Sequence, residues 1–283
     1  MQAKVILLTG ASSGVGQCTA QYLAQQGHRV YGTSRKAAFG QQAQEFPSGG
    51  QLFLIPLDVC DASSIMQAVD FIRQKEGRID VLINNAGNGM AGPLEACSMD
   101  DVRFQMETNF FGALAVTRAV LPWMRAQHSG RIINLSSLAA QIPIPYQSLY
   151  SASKAGLEIA MQALQMEVRS FGIDTVCIEL GDTQTGFTAH RRFAAPSTAL
   201  DAYQPRFACS IAKMEQDERT GPAPLSAAKA IGRLVKRRRV PSLYCCGFFA
   251  NAVYLLRKLL PLRWSNAIIA RLYNPAASVR KDA

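Results

Sequence analysis

The chain has 283 residues, 48% of them apolar and 18% charged, with a formal net charge of +10. This length can bury a sizeable core as one α/β domain, and the composition excludes a disordered chain. The charge is uneven: twelve of the thirty Lys and Arg, but only one of the twenty acids, lie from Leu225 onward. The seven cysteines (Cys18, Cys60, Cys97, Cys177, Cys209, Cys245 and Cys246) show no Cys-x-x-Cys spacing, and their number is odd. Buried thiols in a reducing, cytoplasmic compartment are expected. His28, His128 and His190 stand far apart, so no metal site is expected. An apolar run begins at Val5, so no cleaved signal peptide is expected.

Short apolar runs alternate with longer segments of helical period. The spacing predicts strands near 4–9, 28–34, 51–57, 79–84, 130–136, 173–180 and 242–246. It predicts helices near 14–26, 61–76, 98–127, 149–171 and 225–239. Gly27 reads as a C-cap, and Ser98 with Asp100 and Asp101 behind it as a helix start. Fully apolar strands alternating with helices form a parallel sheet covered on both faces, a Rossmann-type doubly wound sheet.

The first strand, Val5–Leu8, runs into Thr9-Gly10-Ala11-Ser12-Ser13-Gly14-Val15-Gly16. Glycines there permit a tight turn and bring backbone amides close to a pyrophosphate, at the positive end of the next helix. The second strand ends at Ser34, followed by Arg35 and Lys36. An acid at that end would accept ribose hydroxyls and repel a 2′-phosphate, whereas a guanidinium pairs with the phosphate bidentately. The expected cofactor is therefore NADP(H); the alternative for Arg35 is a solvated side chain at a strand end. The third strand leads into Asp58-Val59, and the fourth into Asn84-Asn85-Ala86-Gly87. Asn109 lies within the helix expected over 98–127.

The fifth strand ends in two hydroxyls, Ser136 and Ser137. Tyr150 and Lys154 follow at i, i+4, on one helical face. A free phenol titrates near ~10, and an ammonium about 4 Å away contributes roughly 4 kcal/mol, or on the order of three pKa units. That would bring Tyr150 near neutrality, where a general acid/base works best. Taken alone, the pair also fits two solvated side chains on a helix.

Thr9-Gly10-x-x-x-Gly14-x-Gly16, the Asn84–Gly87 run, Asn109, Ser137 and Tyr150-x-x-x-Lys154 occur in one order over about residues 1–190. In this the chain resembles the short-chain dehydrogenase/reductase family. The resemblance implies that Tyr150 gives its proton to a carbonyl as hydride arrives from NADPH, or takes it in reverse. Lys154 would lower the Tyr150 pKa and bind the nicotinamide ribose. Ser137, rather than its neighbour Ser136, would hold the substrate oxygen, and Asn109 would organise a water-linked proton relay. Gly10, Ser12, Ser13, Gly14, Val15 and Gly16 would surround the pyrophosphate, with Ser34 and Arg35 at the adenosine ribose. Asp58 and Val59 would border the adenine; the alternative for Asp58 is a cap on the next helix. Asn85, Ala86 and Gly87 would line the adenosine side, and Gly181, Thr183 and Thr185 the nicotinamide. Leu180 stands where the family usually has Pro, so a looser turn is expected there.

The same resemblance divides the chain into a cofactor-binding and catalytic core (1–185), a substrate lid (186–224) and a basic extension (225–283). The alternative for 186–224 is an ordinary surface excursion. The implied substrate is a lipophilic ketone or alcohol: a steroid, a retinoid or a long-chain keto-lipid. The alternatives are a small polar or acyl-thioester carbonyl, a non-catalytic NADP-binding regulator and a membrane scaffold. A homodimer or homotetramer through the helices at 98–127 and 149–171 is implied as well. Lys236, Arg237, Arg238 and Arg239 precede an apolar stretch over 240–256. Together they read as a peripheral contact with anionic membrane, as a packed strand with flanking helices, or as a spanning helix of barely sufficient length. No nucleic-acid module is recognisable, so no nucleic-acid partner is expected.

Overall fold

The computed structural model describes residues 3–273. The β-strands are β1 (Val5–Leu8), β2 (Arg29–Ser34), β3 (Gln44–Glu45), β4 (Gln51–Pro56), β5 (Val81–Asn84), β6 (Met90–Ala91), β7 (Gly130–Ser137), β8 (Ile173–Leu180), β9 (Arg192–Phe193) and β10 (Leu243–Cys245). The main sheet runs β10-β8-β7-β5-β1-β2-β4-β3. Every neighbouring pair is parallel except β3 with β4. All seven expected strands are present. The short edge strand β3 and the small parallel pair β6–β9 were not expected.

The helices are α1 (Gly14–Gln25), α2 (Ala62–Glu76), α3 (Met99–Met106), α4 (Ala113–Ala126), α5 (Ser148–Val168), α6 (Thr198–Ala202), α7 (Arg206–Thr220), α8 (Pro224–Lys236), α9 (Phe248–Leu259) and α10 (Leu262–Tyr273). Side chains alternate across the pleat, so each central strand feeds two cores. Val5 and Leu7 pack with α2 and α4, while Ile6 and Leu8 pack with α1 and α8 on the other face. The layers close tightly: a Cβ on Gly232 of α8 would lie 2.6 Å from the Tyr22 ring of α1.

The helix expected over 98–127 is interrupted. A π-helical turn, Glu107–Gly112, separates α3 from α4 and carries Asn109. The stretch 186–224 contains two helices that were not expected, α6 and α7, and Phe207 in the first turn of α7 is buried.

The basic run also differs from expectation. Helix α8 stops at Lys236 because the buried Arg131 guanidinium takes the carbonyls at its end. Arg131 donates to Leu234 O and Arg237 O at 2.6 Å each, and pairs with Asp174 at 3.0 Å. Arg131 and Asp174 lie at the starts of β7 and β8, so the exposed Lys236–Arg239 run sits at the N-terminal edge of the sheet. Strand β10 then carries the chain across to the other edge, where α9 and α10 follow. Of the three readings of this region, the packed strand with flanking helices is present as β10 between α8 and α9, and the run and the apolar stretch that the interfacial reading joined lie at opposite edges. Among the described residues no helix is long and apolar enough to cross a membrane, which removes the spanning reading of 240–256. Arg280 and Lys281, part of the C-terminal charge, lie outside the described residues.

Replacing Arg131 by Ala leaves the α8 carbonyls and Asp174 without their donor. The expected loss is about 2–4 kcal/mol, read as a lower urea midpoint. An unchanged midpoint would contradict this role.

Candidate active site

Parallel strands place their C-terminal ends on one edge of the sheet. The chain moves outward from β1 to β2 and β4, then returns to lay β5 on the other side of β1. A crevice opens where the order reverses, the place at which such sheets bind ligands. A cavity of about 1170 Å³ lies there.

Its floor is the turn after β1. Gly10 and Gly14 have φ of +68° and +54°, in the left-handed region. A Cβ on Gly16 would lie 2.1 Å from Gly10 O, so only glycine lets α1 start so close to β1. Asn85 locks the turn to β5 by donating its side-chain N–H groups to Thr9 O and Gly10 O, both at 2.8 Å. The Thr9 hydroxyl accepts the Asn85 and Ala86 amides at 3.0 Å each. No side chain caps the N-terminus of α1, and its first turn holds no acid. Its amides therefore face the cavity free to meet an anion.

Every expected cofactor residue lines this cavity: Gly10, Ser12, Ser13, Gly14, Val15, Gly16, Ser34, Arg35, Asp58, Val59, Asn85, Ala86, Gly87, Tyr150, Lys154, Gly181, Thr183 and Thr185. Arg35 and Lys36 are exposed along its wall beyond β2. Asp58 is not the cap of α2; Asp61 holds that place, accepting the Ser63 amide at 2.8 Å. The turn after Leu180 is braced rather than loose. The Gln184 amide donates to Pro222 O at 3.1 Å, and Gly221 lies so close that a Cβ would be 2.5 Å from Asp182 O. An uncapped helix start and a glycine floor fit the pyrophosphate of a dinucleotide.

Ser137 and Tyr150 both line the cavity, and the Ser137 hydroxyl lies close enough to the phenol to favour its ionised form. Ser136, one residue back on the pleat, is buried. Lys154 is buried as well and donates to Leu135 O at 2.8 Å. Asn109 lies behind the cavity wall rather than on it. Its side-chain oxygen accepts the Asn88 amide at 2.9 Å, and its N–H groups donate to Asn88 O at 3.0 Å and Ser153 Oγ at 3.2 Å. Ser153 donates in turn to Tyr150 O at 2.7 Å. Asn109 thus joins the Asn88 loop to the helix that carries Tyr150 and Lys154.

The electrostatics depart from the expectation that Lys154 brings the phenol near neutrality. Burial pushes Tyr150 up to about 12, against the opposing pull of the nearby Ser137 hydroxyl. Burial likewise draws Lys154 down to about 8, with Cys177 and Glu158 pulling it back up. Desolvation drives both groups toward their neutral forms and outweighs their spacing on the helix.

A second cluster lies beneath, unforeseen in the sequence. Glu158 follows Lys154 by one turn of α5 and accepts from Gln141 Nε2 at 2.7 Å; Glu179 of β8 meets the Cys245 thiol at 3.0 Å. Both carboxyls are buried, and each keeps one oxygen without a partner. Burial pushes Glu158 up to about 7 and raises Glu179 in the same direction. The i, i+4 spacing from Lys154 was the available signal for Glu158.

With a folded-state value of about 7 against an ordinary 4.5, Glu158 holds more proton in the folded than in the unfolded chain between those limits. Its contribution to stability therefore falls as pH rises from 4.5 to about 7, by up to about 3 kcal/mol. Glu158→Gln carries the neutral shape at every pH. It should raise Tm by roughly 2–6 °C at pH 8 and by little at pH 5. An equal change at both values would rule out a titrating Glu158.

The family model for short chain dehydrogenase matches residues 4–195. The 3-ketodihydrosphingosine reductase of Bacteroides thetaiotaomicron is 43% identical over 85% of this chain and 87% of its own length. Retinol dehydrogenase 8 of Bos taurus is 30% identical over 98% of this chain and 87% of its own. A solved short-chain dehydrogenase from Streptomyces avermitilis superposes with a TM-score of 0.77 at 30% identity, covering 99% of both chains. The chain belongs to the short-chain dehydrogenase/reductase family of oxidoreductases, whose fold binds a nicotinamide cofactor.

Proposed function

We propose that this protein is an NADP(H)-dependent reductase of lipophilic ketones. One observation carries the reading. Ser137, Tyr150 and Lys154 meet in a cavity whose remaining wall is largely apolar, with Leu138, Ile142, Ile144, Phe187, Leu256 and Ile268 around it. A small polar substrate would gain nothing from that wall, whereas a long hydrocarbon chain gains about 25 cal/mol for each Å² it buries. The relative named 3-ketodihydrosphingosine reductase supports a keto-lipid.

When bound, NADP(H) supplies the hydride. The chain's own residues handle the proton and the developing charge. Ser137 and Tyr150 hydrogen-bond the carbonyl oxygen, and Tyr150 gives up its proton as that oxygen becomes an alcohol. A phenol held at about 12 stays protonated across neutral pH, which is the form that reduction needs. The Lys154 ammonium lowers the cost of the phenolate left behind, and Asn109 holds α5 in register with the Asn88 loop. Arg35 and Lys36 meet the 2′-phosphate, since no acid stands at the end of β2 to repel it. The stretch 186–224, with α6 and α7, acts as a lid, and its Phe187 ring centre lies 5.8 Å from that of Tyr150. Phe111, Ile159 and Met166 are exposed on the π turn and α5, which supports a homo-oligomer through that surface in a cytoplasmic protein.

Tyr150→Phe keeps the ring and removes the proton. Turnover of a long-chain ketone should fall by at least three orders of magnitude with NADPH affinity nearly intact; a variant retaining a tenth of the rate excludes Tyr150 as the acid. Arg35→Asp should reverse the cofactor preference in kcat/KM, and a wild type that already prefers NADH overturns the NADP(H) assignment. Lys154 loses its charge as pH rises through about 8, so the reductive rate should decline above that value. A rate that stays flat to high pH contradicts the role of the ammonium.

A further inference from the structure

Helices α9 and α10 show solvent a face that a soluble surface rarely leaves bare. On α10, Trp264, Ile268 and Leu272 recur every four residues and form one row along the helix. Each is more than half exposed, while Ser265 and Ile269 in the adjacent row are buried against the protein. The packed side of α10 is thus already satisfied, and the apolar row faces outward. On α9, Leu255 and Leu259 make the same kind of pair, and Leu262 continues it past the turn; all three are more than half exposed. Contiguous apolar surface of this kind marks an interaction site.

The charges carried by the two helices themselves are all of one sign. Arg257, Lys258, Arg263 and Arg271 stand on the two helices, and no acid occurs between Glu218 and Asp282. The Lys258 ammonium lies 4.4 Å from the centre of the Tyr254 ring, and the Arg263 guanidinium 5.9 Å from that of Trp264. A second copy docking here by two-fold symmetry would press these cations against their own images. An anionic bilayer accepts both features: the apolar rows enter the acyl boundary and the cations meet the headgroups.

The surface is also continuous with the cavity. Val253, Leu256, Leu260, Ile268 and Leu272 line its mouth, so the apolar rows surround the opening that leads to Tyr150. The Lys236–Arg239 run, on the opposite edge of the sheet, plays no part.

We propose that α9 and α10 form a docking surface for anionic bilayers around the cavity mouth, through which a lipid substrate passes from membrane to active site without crossing water. The passage rests on the ketone-reductase reading; the docking does not, because vesicle binding is measured without substrate.

The test is co-sedimentation of the full chain with vesicles of phosphatidylcholine alone or mixed with phosphatidylglycerol. Binding is expected to the mixed vesicles at low salt and to weaken as salt rises, since exposed charge is screened over about 10 Å at 0.1 M. Lys258→Gln with Arg263→Gln and Arg271→Gln should weaken it at least tenfold. Leu255→Ser with Leu259→Ser and Trp264→Ser should do the same. Both variants should keep wild-type kcat on a water-soluble ketone, which shows that they fold. Changing Lys236, Arg237, Arg238 and Arg239 to Gln should leave vesicle binding unchanged. The proposal is overturned by absence of binding at any salt, or by binding that depends on the 236–239 run instead. It is also overturned if the Leu255, Leu259 and Trp264 changes convert a dimer into a monomer, which would assign this face to a second copy. Vesicle binding together with inactivity toward every ketone would defeat the functional reading alone.

Discussion

Lys154 is an ammonium taken out of water, and much of the site follows from keeping it there. A buried charge without a partner is costly. Here the Leu135 carbonyl at the end of β7 accepts it at 2.8 Å, and Glu158 lies one turn farther along the same helix. Gly87 borders the ammonium: a Cβ there would lie in ordinary contact, 3.7 Å from Nζ and 3.4 Å from Asn109 Oδ1. The π turn that carries Asn109 is held against the strand end, since a Cβ on Gly112 would sit 2.7 Å from Val59. Such turns gather at functional sites because they re-aim one side chain without ending the helix.

The same burial sets the chemistry. It lowers the ammonium to about 8 and lifts the Tyr150 phenol to about 12. The phenol thereby keeps its proton across neutral pH, while the ammonium is lost as pH rises through about 8. The sheet topology places this pair, the glycine turn and the apolar mouth on one edge. The Arg131 cap and the basic run occupy the other. One end of the molecule faces the ligands, and the far end secures α8.

The strands and the glycine turn were legible in the sequence because their signals are local: fully apolar runs, and glycines directly after a strand. Other features depend on distant parts of the chain or on burial. A π turn inserts one residue without breaking helical periodicity, so 98–127 reads as a single helix. The end of α8 is set by Arg131, about a hundred residues earlier, so no local pattern marks it. Helix α7 carried a readable signal, since Phe207, Ile211 and Met214 share one face; the polar residues between them obscured it. The spacing of Tyr150 and Lys154 was legible, but not the desolvation that reverses its expected effect. Asn88 and Gln105, which hold Asn109 in place, appear only once the loop after β5 is seen beside α3.

Delivery of a lipid carbonyl to Tyr150 by an apolar cavity is what we propose. It is tested most directly by kcat/KM for NADPH-dependent reduction across a homologous series of ketones of increasing chain length. A rise with each added methylene, levelling off once the chain fills the cavity, is the predicted result. A preference for the shortest ketone, or a constant independent of length, would contradict it.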